Sequence, residues 1–105
     1  MKKQIIFTPQ ARHYLKDLPD PVKAEFNANF TVLSETGRLE FPDGRKLQNG
    51  LFEVRVAMGG NAYRTIYCYA HQNEIWILNG FTKKTQKTPE RELDKALAIM
   101  RRNGL

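Results

Sequence analysis

Glu53, Arg55 and Arg64 are the residues of this chain whose types and spacing suggest chemistry. They fall in the runs LFEVRVAM (51–58) and AYRTIYCYA (62–70), rich in the β-branched and aromatic residues that suit a half-buried pleated surface. Gly59-Gly60 is a hairpin signal, because primed two-residue turns need a positive φ that glycine adopts without steric penalty. Such a turn sets Arg55 opposite Arg64 and Glu53 opposite Ile66, all on one face by the period-two alternation of strands. Phe52, Val54 and Val56 then point the other way, toward a core. Like charges directly opposite one another are destabilising, so the arginine pair suggests a place for an anion. The alternative is a solvated face along which both side chains snorkel and bind nothing. A different turn register would move Arg64 to the other face.

The elements that must position these residues follow from the rest of the chain. EIWILNGF (74–81) makes a third strand after the tip His71-Gln72-Asn73, so residues 51–84 read as an antiparallel meander with a basic tail, Thr82-Lys83-Lys84. Upstream, Gln4-Ile5-Ile6-Phe7 is a short strand. Thr8-Pro9 opens a helix, with Thr8 as N-cap and Pro9 at the first helical position. Ala11, Tyr14, Leu15 and Leu18 form its apolar stripe, and Pro19 stops it. Asp20-Pro21 opens a second helix in the same way. Val22, Phe26, Phe30 and Leu33 line one face, and Thr36-Gly37 ends it. The two helices form a hairpin. Residues 37–50, GRLEFPDGRKLQNG, carry turn signals at Pro42-Asp43-Gly44 and Asn49-Gly50. Leu39, Phe41 and Leu47 tack this segment to the domain. Arg45 and Lys46 reach toward a phosphate backbone or serve only solubility. Thr82–Thr88 is a basic loop. Thr88-Pro89 opens the last helix, striped with Leu93, Ala96, Leu97 and Met100 and ended by Asn103-Gly104. Glu90 and Glu92 suit the positive end of its dipole, and Arg101 and Arg102 the negative end.

Composition narrows the class. With 105 residues the chain is expected to be a single domain, 1–105, with one core. A hydrophobic fraction of 41% and a charged fraction of 27% are those of a soluble globular protein, while a net charge of +6 favours a polyanionic or acidic partner. The single Cys68 excludes an internal disulfide framework, and no Cys/His group has metal-ligand spacing, so no metal or cofactor is expected. Cys68 reads as a small buried residue rather than a nucleophile. No apolar run spans a bilayer and the N-terminus lacks a signal-peptide core, so the expected location is cytoplasmic. His13 is assigned no role.

The order strand, helix, helix, meander, helix in a small basic chain resembles a known family. LQNGLFEVRV (47–56), AYRTIYCY (62–69), ILNGFTKKTQKTP (77–89) and the following ELDKAL helix resemble RelE/ParE-superfamily toxins of type II toxin–antitoxin systems, in their HigB-like, phage-derived branch. The resemblance covers nearly the whole chain in element order and is specific in its second half. It implies an α+β, RelE-like fold, with helices packed on one face of a twisted sheet and a basic concave cleft on the other. It also implies a ribosome-dependent, metal-independent endoribonuclease (mRNA interferase), cleaving mRNA by attack of a ribose 2′-hydroxyl on the adjacent phosphate. That chemistry needs nucleotide orientation, stabilisation of the phosphorane charge and proton transfer. Guanidinium forks supply the first two.

By this resemblance, Arg64 stabilises the phosphate, Arg55 does the same or orients RNA, and Lys84 supplies a cation just after the last strand. Glu53 acts as a base or, in the favoured reading, pairs with Arg55. Arg45, Lys46, Lys83 and Lys87 are the implied RNA contacts. The implied partners are mRNA on the ribosome and a cognate antitoxin, often a helix-turn-helix protein. One departure concerns proton transfer: some relatives use a tyrosine or histidine in the C-terminal segment, and after Tyr69 and His71 this chain has neither. Two other functions stand beside the nuclease, a toxin of this fold acting on DNA gyrase and a non-catalytic basic binding module of phage origin.

Overall fold

The computed structural model describes residues 2–84 and 87–105. The chain runs β1 (Gln4–Phe7), α1 (Pro9–Lys16), α2 (Asp20–Thr36), β2 (Gly44–Lys46), β3 (Phe52–Met58), β4 (Asn61–Ala70), β5 (Glu74–Lys83) and α3 (Glu90–Arg102). Among the described residues the strands form one five-stranded sheet, ordered β1-β5-β4-β3-β2. β1 pairs with β5 in parallel, α1 and α2 carry the chain from β1 at one edge to β2 at the other, and the other neighbours are antiparallel. The N-terminal strand, helical hairpin, meander and C-terminal helix thus stand as the sequence reads.

Local chemistry explains most boundaries. Thr8 accepts the Ala11 amide at 3.1 Å and Pro9 follows it, so α1 starts there. Gly37, at φ +84, closes α2 in the left-handed conformation that glycine tolerates. Gly59 and Gly60 both have positive φ, and Met58 pairs with Asn61 across them, which is the tight turn expected.

Several expectations are corrected. Asp20 does not cap α2; Pro19 precedes the helix without a side-chain cap, and Asp20 is its first residue, favourably placed at the positive dipole end. The segment 37–50 contains β2, which pairs Gly44 with Val54 and Lys46 with Phe52. Its charged sequence carries no strand pattern, and the strand exists because the β3 backbone accepts a partner. Phe41 does not tack that segment down; its side chain is 77% exposed, whereas Leu39 and Leu47 do pack. β5 continues through Thr82 and Lys83 because β4 pairs with it as far as Ala62–Lys83, so the expected loop is shorter, and its Thr85 and Gln86 lie outside the described residues.

The helices do not share one face. α1 and α2 cover Val54, Val56, Tyr67, Ile75 and Ile77 on one side. α3 lays Leu93, Ala96 and Ile99 on Leu51, Ile66, Cys68, Leu78 and Phe81 on the other. The sheet is therefore the middle of three layers with a core on each side, rather than one core beneath an open cleft. Each large apolar side chain buried this way stabilises the fold by about 1.5–3 kcal/mol. No helix among the described residues is long and apolar enough to cross a membrane.

Candidate active site

The α3 side of the sheet carries the charges. Arg55 stands opposite Arg64 and Glu53 opposite Ile66, as the glycine turn requires, and β2 adds Arg45 opposite Glu53. On the far side Phe81 flanks Arg64 and Lys83 flanks Ala62. Three arginines and one carboxylate thus share this face of the sheet. α3 covers only part of this face, and the charges occupy the part toward the β3–β4 turn.

Burial divides their roles. Glu53 and Arg64 have no exposed surface, whereas Arg55 is half-buried and Arg45 exposed. The Arg64 guanidinium carbon lies 5.5 Å from the centroid of the Phe81 ring, within cation–π range. Burial pushes the Arg64 pKa down, the Glu53 charge pushes it back up, and Arg55 and Arg45 lower it again. A cation held there against burial and two neighbouring cations marks a positive field seeking negative charge. Glu53 supplies part of it. Its Oε1 accepts the Thr88 hydroxyl at 2.7 Å, which ties the approach to α3 onto the sheet.

The remaining expected residues distribute around this cluster. Lys84 is exposed and lines, with Arg55 and the glycine turn, a cavity of about 360 Å³ at the hairpin end. Lys46 and Lys87 line, with Arg45 and Thr88, a cavity of about 280 Å³ at the start of α3. Lys83 is half-buried in β5 on the Arg64 face. Glu53 also acts on Arg64 through its charge and accepts the Thr88 hydroxyl. His71 is at the hairpin tip, its Nε2 3.6 Å from Glu74 Oε1, and away from the cluster. Cys68 is buried under α3, its thiol pushed up to about 11 by burial, so it is inert as a nucleophile.

Sequence reasoning missed Thr88. Its position before Pro89 imitates a helix cap, but Pro89 precedes the helix without a side-chain cap and the Thr88 hydroxyl turns to the sheet. The one local clue is a hydroxyl between a basic segment and a proline.

A family model described as "Phage derived protein Gp49-like (DUF891)" matches residues 13–101, which includes every charge of the cluster. The chain belongs to this Gp49-like family. No curated protein sequence matches the Gp49-like chain. Solved structures do match it in fold. The E. coli toxin RelE in the free state, in a mutant with two arginines changed to alanine, superposes with a TM-score of 0.70 at 15% identity, covering 93% of this chain and 97% of that one. The toxin–antitoxin complex RelBE2 of Mycobacterium tuberculosis matches with a TM-score of 0.60 at 24% identity, covering 79% and 100%. The intact E. coli RelBE complex matches with a TM-score of 0.62 at 15% identity, covering 81% and 99%. At these identities the likeness establishes a RelE-like fold for the Gp49-like chain.

Proposed function

We propose that this Gp49-like chain is the toxin of a toxin–antitoxin pair and cleaves mRNA on the ribosome. The observation that carries the reading is the placing of Arg45, Arg55 and Arg64 with the buried Glu53 on one sheet face within a RelE-like fold. In the reaction a ribose 2′-oxygen gives its proton to water as it bonds to the adjacent phosphorus, and the bond to the 5′-oxygen breaks as that oxygen takes a proton from water. The products are a cyclic phosphate and a free 5′-hydroxyl. The phosphorane between them carries extra negative charge, which fixed cations stabilise without reorganising.

Arg55 and Lys84 hold the phosphate from the hairpin end, and Arg45 from the β2 edge. Arg64, without exposed surface, strengthens the positive field from beneath the other cations. Glu53 is a positioning residue: engaged by Arg64 and Thr88, it keeps the guanidinium in place rather than serving as a base. The cluster therefore supplies charge and orientation, and losing one such cation costs roughly 3 kcal/mol of transition-state stabilisation, about a hundredfold in rate. Two of the matched structures are toxin–antitoxin complexes. That likeness, with the net charge of +6, supports an acidic cognate antitoxin as partner.

The test is induced expression in bacteria followed by mapping of new mRNA 5′ ends. Growth arrest with in-frame ends that vanish in Arg55→Ala is the expected result, with Arg64→Lys reporting whether the fork as well as the charge is needed. Arg55→Ala is the cleaner variant because the Arg55 side chain is half-buried, whereas Arg64 has no exposed surface. Arrest with intact mRNA and DNA damage would point to gyrase instead. Normal growth at full soluble expression would leave a non-catalytic binding module.

A further inference from the structure

Phe41 and Tyr69, 77% and 38% exposed, are two of the three large apolar side chains left exposed among the described residues. Both line one cavity of about 350 Å³, together with Phe52, Tyr67, Arg45 and Lys46. Its floor is a set of fixed rings. Phe52 stacks on Tyr67 with centroids 5.4 Å apart and meets Tyr69 edge-on at 5.1 Å. The Tyr69 hydroxyl donates to the Gly37 carbonyl at 2.6 Å, pinning the outer ring to the end of α2. A satellite core would bury its outermost ring; Phe41 instead stands clear of it, beside two cations. The cavity opens on the α1–α2 face of the sheet, the opposite face from the arginine cluster, and only the β2 edge separates the two. β2 is the edge strand, and Arg45 and Lys46 upon it line both this cavity and the one at the start of α3. Arg45 is close enough to lower the pKa of Arg64.

Aromatic rings beside cations on a free edge match the chemistry of single-stranded nucleic acid, in which unpaired bases stack and phosphates seek positive charge. The volume lies in the range of small-molecule sites. We propose that this cavity is a nucleobase subsite for single-stranded RNA. An unpaired base stacks on Phe41, Lys46 and Arg45 hold the adjoining phosphates, and the strand passes round the β2 edge to the Arg55–Arg64 cluster. This rests on the reading that the chain acts on RNA, and extends it to a nucleotide flanking the one cleaved.

The experiment measures binding of a short, unstructured, fluorescently labelled RNA to the purified full chain over a salt series. Stacking and charge separate by their salt dependence. Phe41→Ala is expected to weaken binding about tenfold at every salt concentration with the slope unchanged. Lys46→Ala is expected to flatten the slope of log affinity against log salt by about 0.7. An abasic position in the RNA should reproduce the Phe41→Ala loss in the unsubstituted protein and add nothing in the variant. Equal affinity of Phe41→Ala and the unsubstituted chain would overturn the subsite. So would a Phe41→Ala variant that keeps RNA but loses an acidic antitoxin, which would give the face to a protein partner. If mRNA cleavage disappears in Arg55→Ala while Phe41→Ala leaves RNA affinity intact, the subsite fails and the nuclease stands. If the unsubstituted chain neither binds nor cleaves RNA, both fail together.

Discussion

Glu53 is a fully buried carboxylate whose company is one buried guanidinium, two more cations and a hydroxyl. Removing one partner of a buried pair leaves the other charge uncompensated, which costs more than the pair itself contributes. Glu53→Gln should therefore lower stability by about 3 kcal/mol, read as a shift in urea midpoint at unchanged slope. Thr88→Val removes a hydrogen bond to a charged group and should cost about 1.5–3 kcal/mol. The double variant should cost less than the sum, because Thr88 has no carboxylate to hold once Glu53 is gone. Strict additivity would show that the two side chains act independently. The facing of Glu53, Arg55 and Arg64 was legible in the sequence because Gly59-Gly60 fixes the register two residues at a time. Thr88 was not, since its partner lies 35 residues away and its local setting imitates a cap.

At the scale of elements, β5 shows how a strand is held by a helix on one side and a helix on the other. Its pairing with β4 slips between Ile66 and Tyr67, and Thr8 donates its hydroxyl to the Leu78 carbonyl there. Two residues on, Gly80 lets the Tyr14 ring of α1 lie against the strand, with the Tyr14 hydroxyl donating to the Phe81 carbonyl at 2.9 Å. A Cβ at Gly80 would run into that ring. Gly80→Ala should thus destabilise by about 1–3 kcal/mol in thermal or urea unfolding, although its backbone conformation suits alanine. A neutral Gly80→Ala would mean that α1 can shift away from β5 without loss. β1, α1 and α2 were legible because caps, prolines and stripes mark them locally. The side taken by α3 was not. A stripe of Leu93, Ala96, Leu97 and Met100 says that a helix packs, but not on what. The answer lay in β4, where Tyr63, Thr65 and Tyr67 face one way and Ile66 and Cys68 the other, so both faces are apolar and both need a cover.

For the whole molecule, β4 joins the two cores. Tyr67 enters the core under α1 and α2, and its neighbour Cys68 enters the core under α3. Both are neutral at pH 7, and burial penalises the charged form of each. The Cys68 thiol is pushed from 9.0 up to about 11, and the Tyr67 phenol is pushed upward by burial and by Tyr69. Tyr14, against β5, is raised by burial as well, in part offset by its bond to Thr82. An acid whose pKa is higher in the folded state stabilises the fold fully below the unfolded value, because only the unfolded chain then gains from losing the proton as pH rises. That stability is lost progressively between about pH 9 and pH 11 for Cys68, with the tyrosines extending the loss upward. The melting temperature should hence be level near neutrality and fall above about pH 9. Cys68→Ala should remove the first part of the fall and keep the later part that belongs to the tyrosines. A Cys68→Ala curve as steep between pH 9 and 11 as that of the unsubstituted chain would show that the thiol ionises as freely in the fold as outside it.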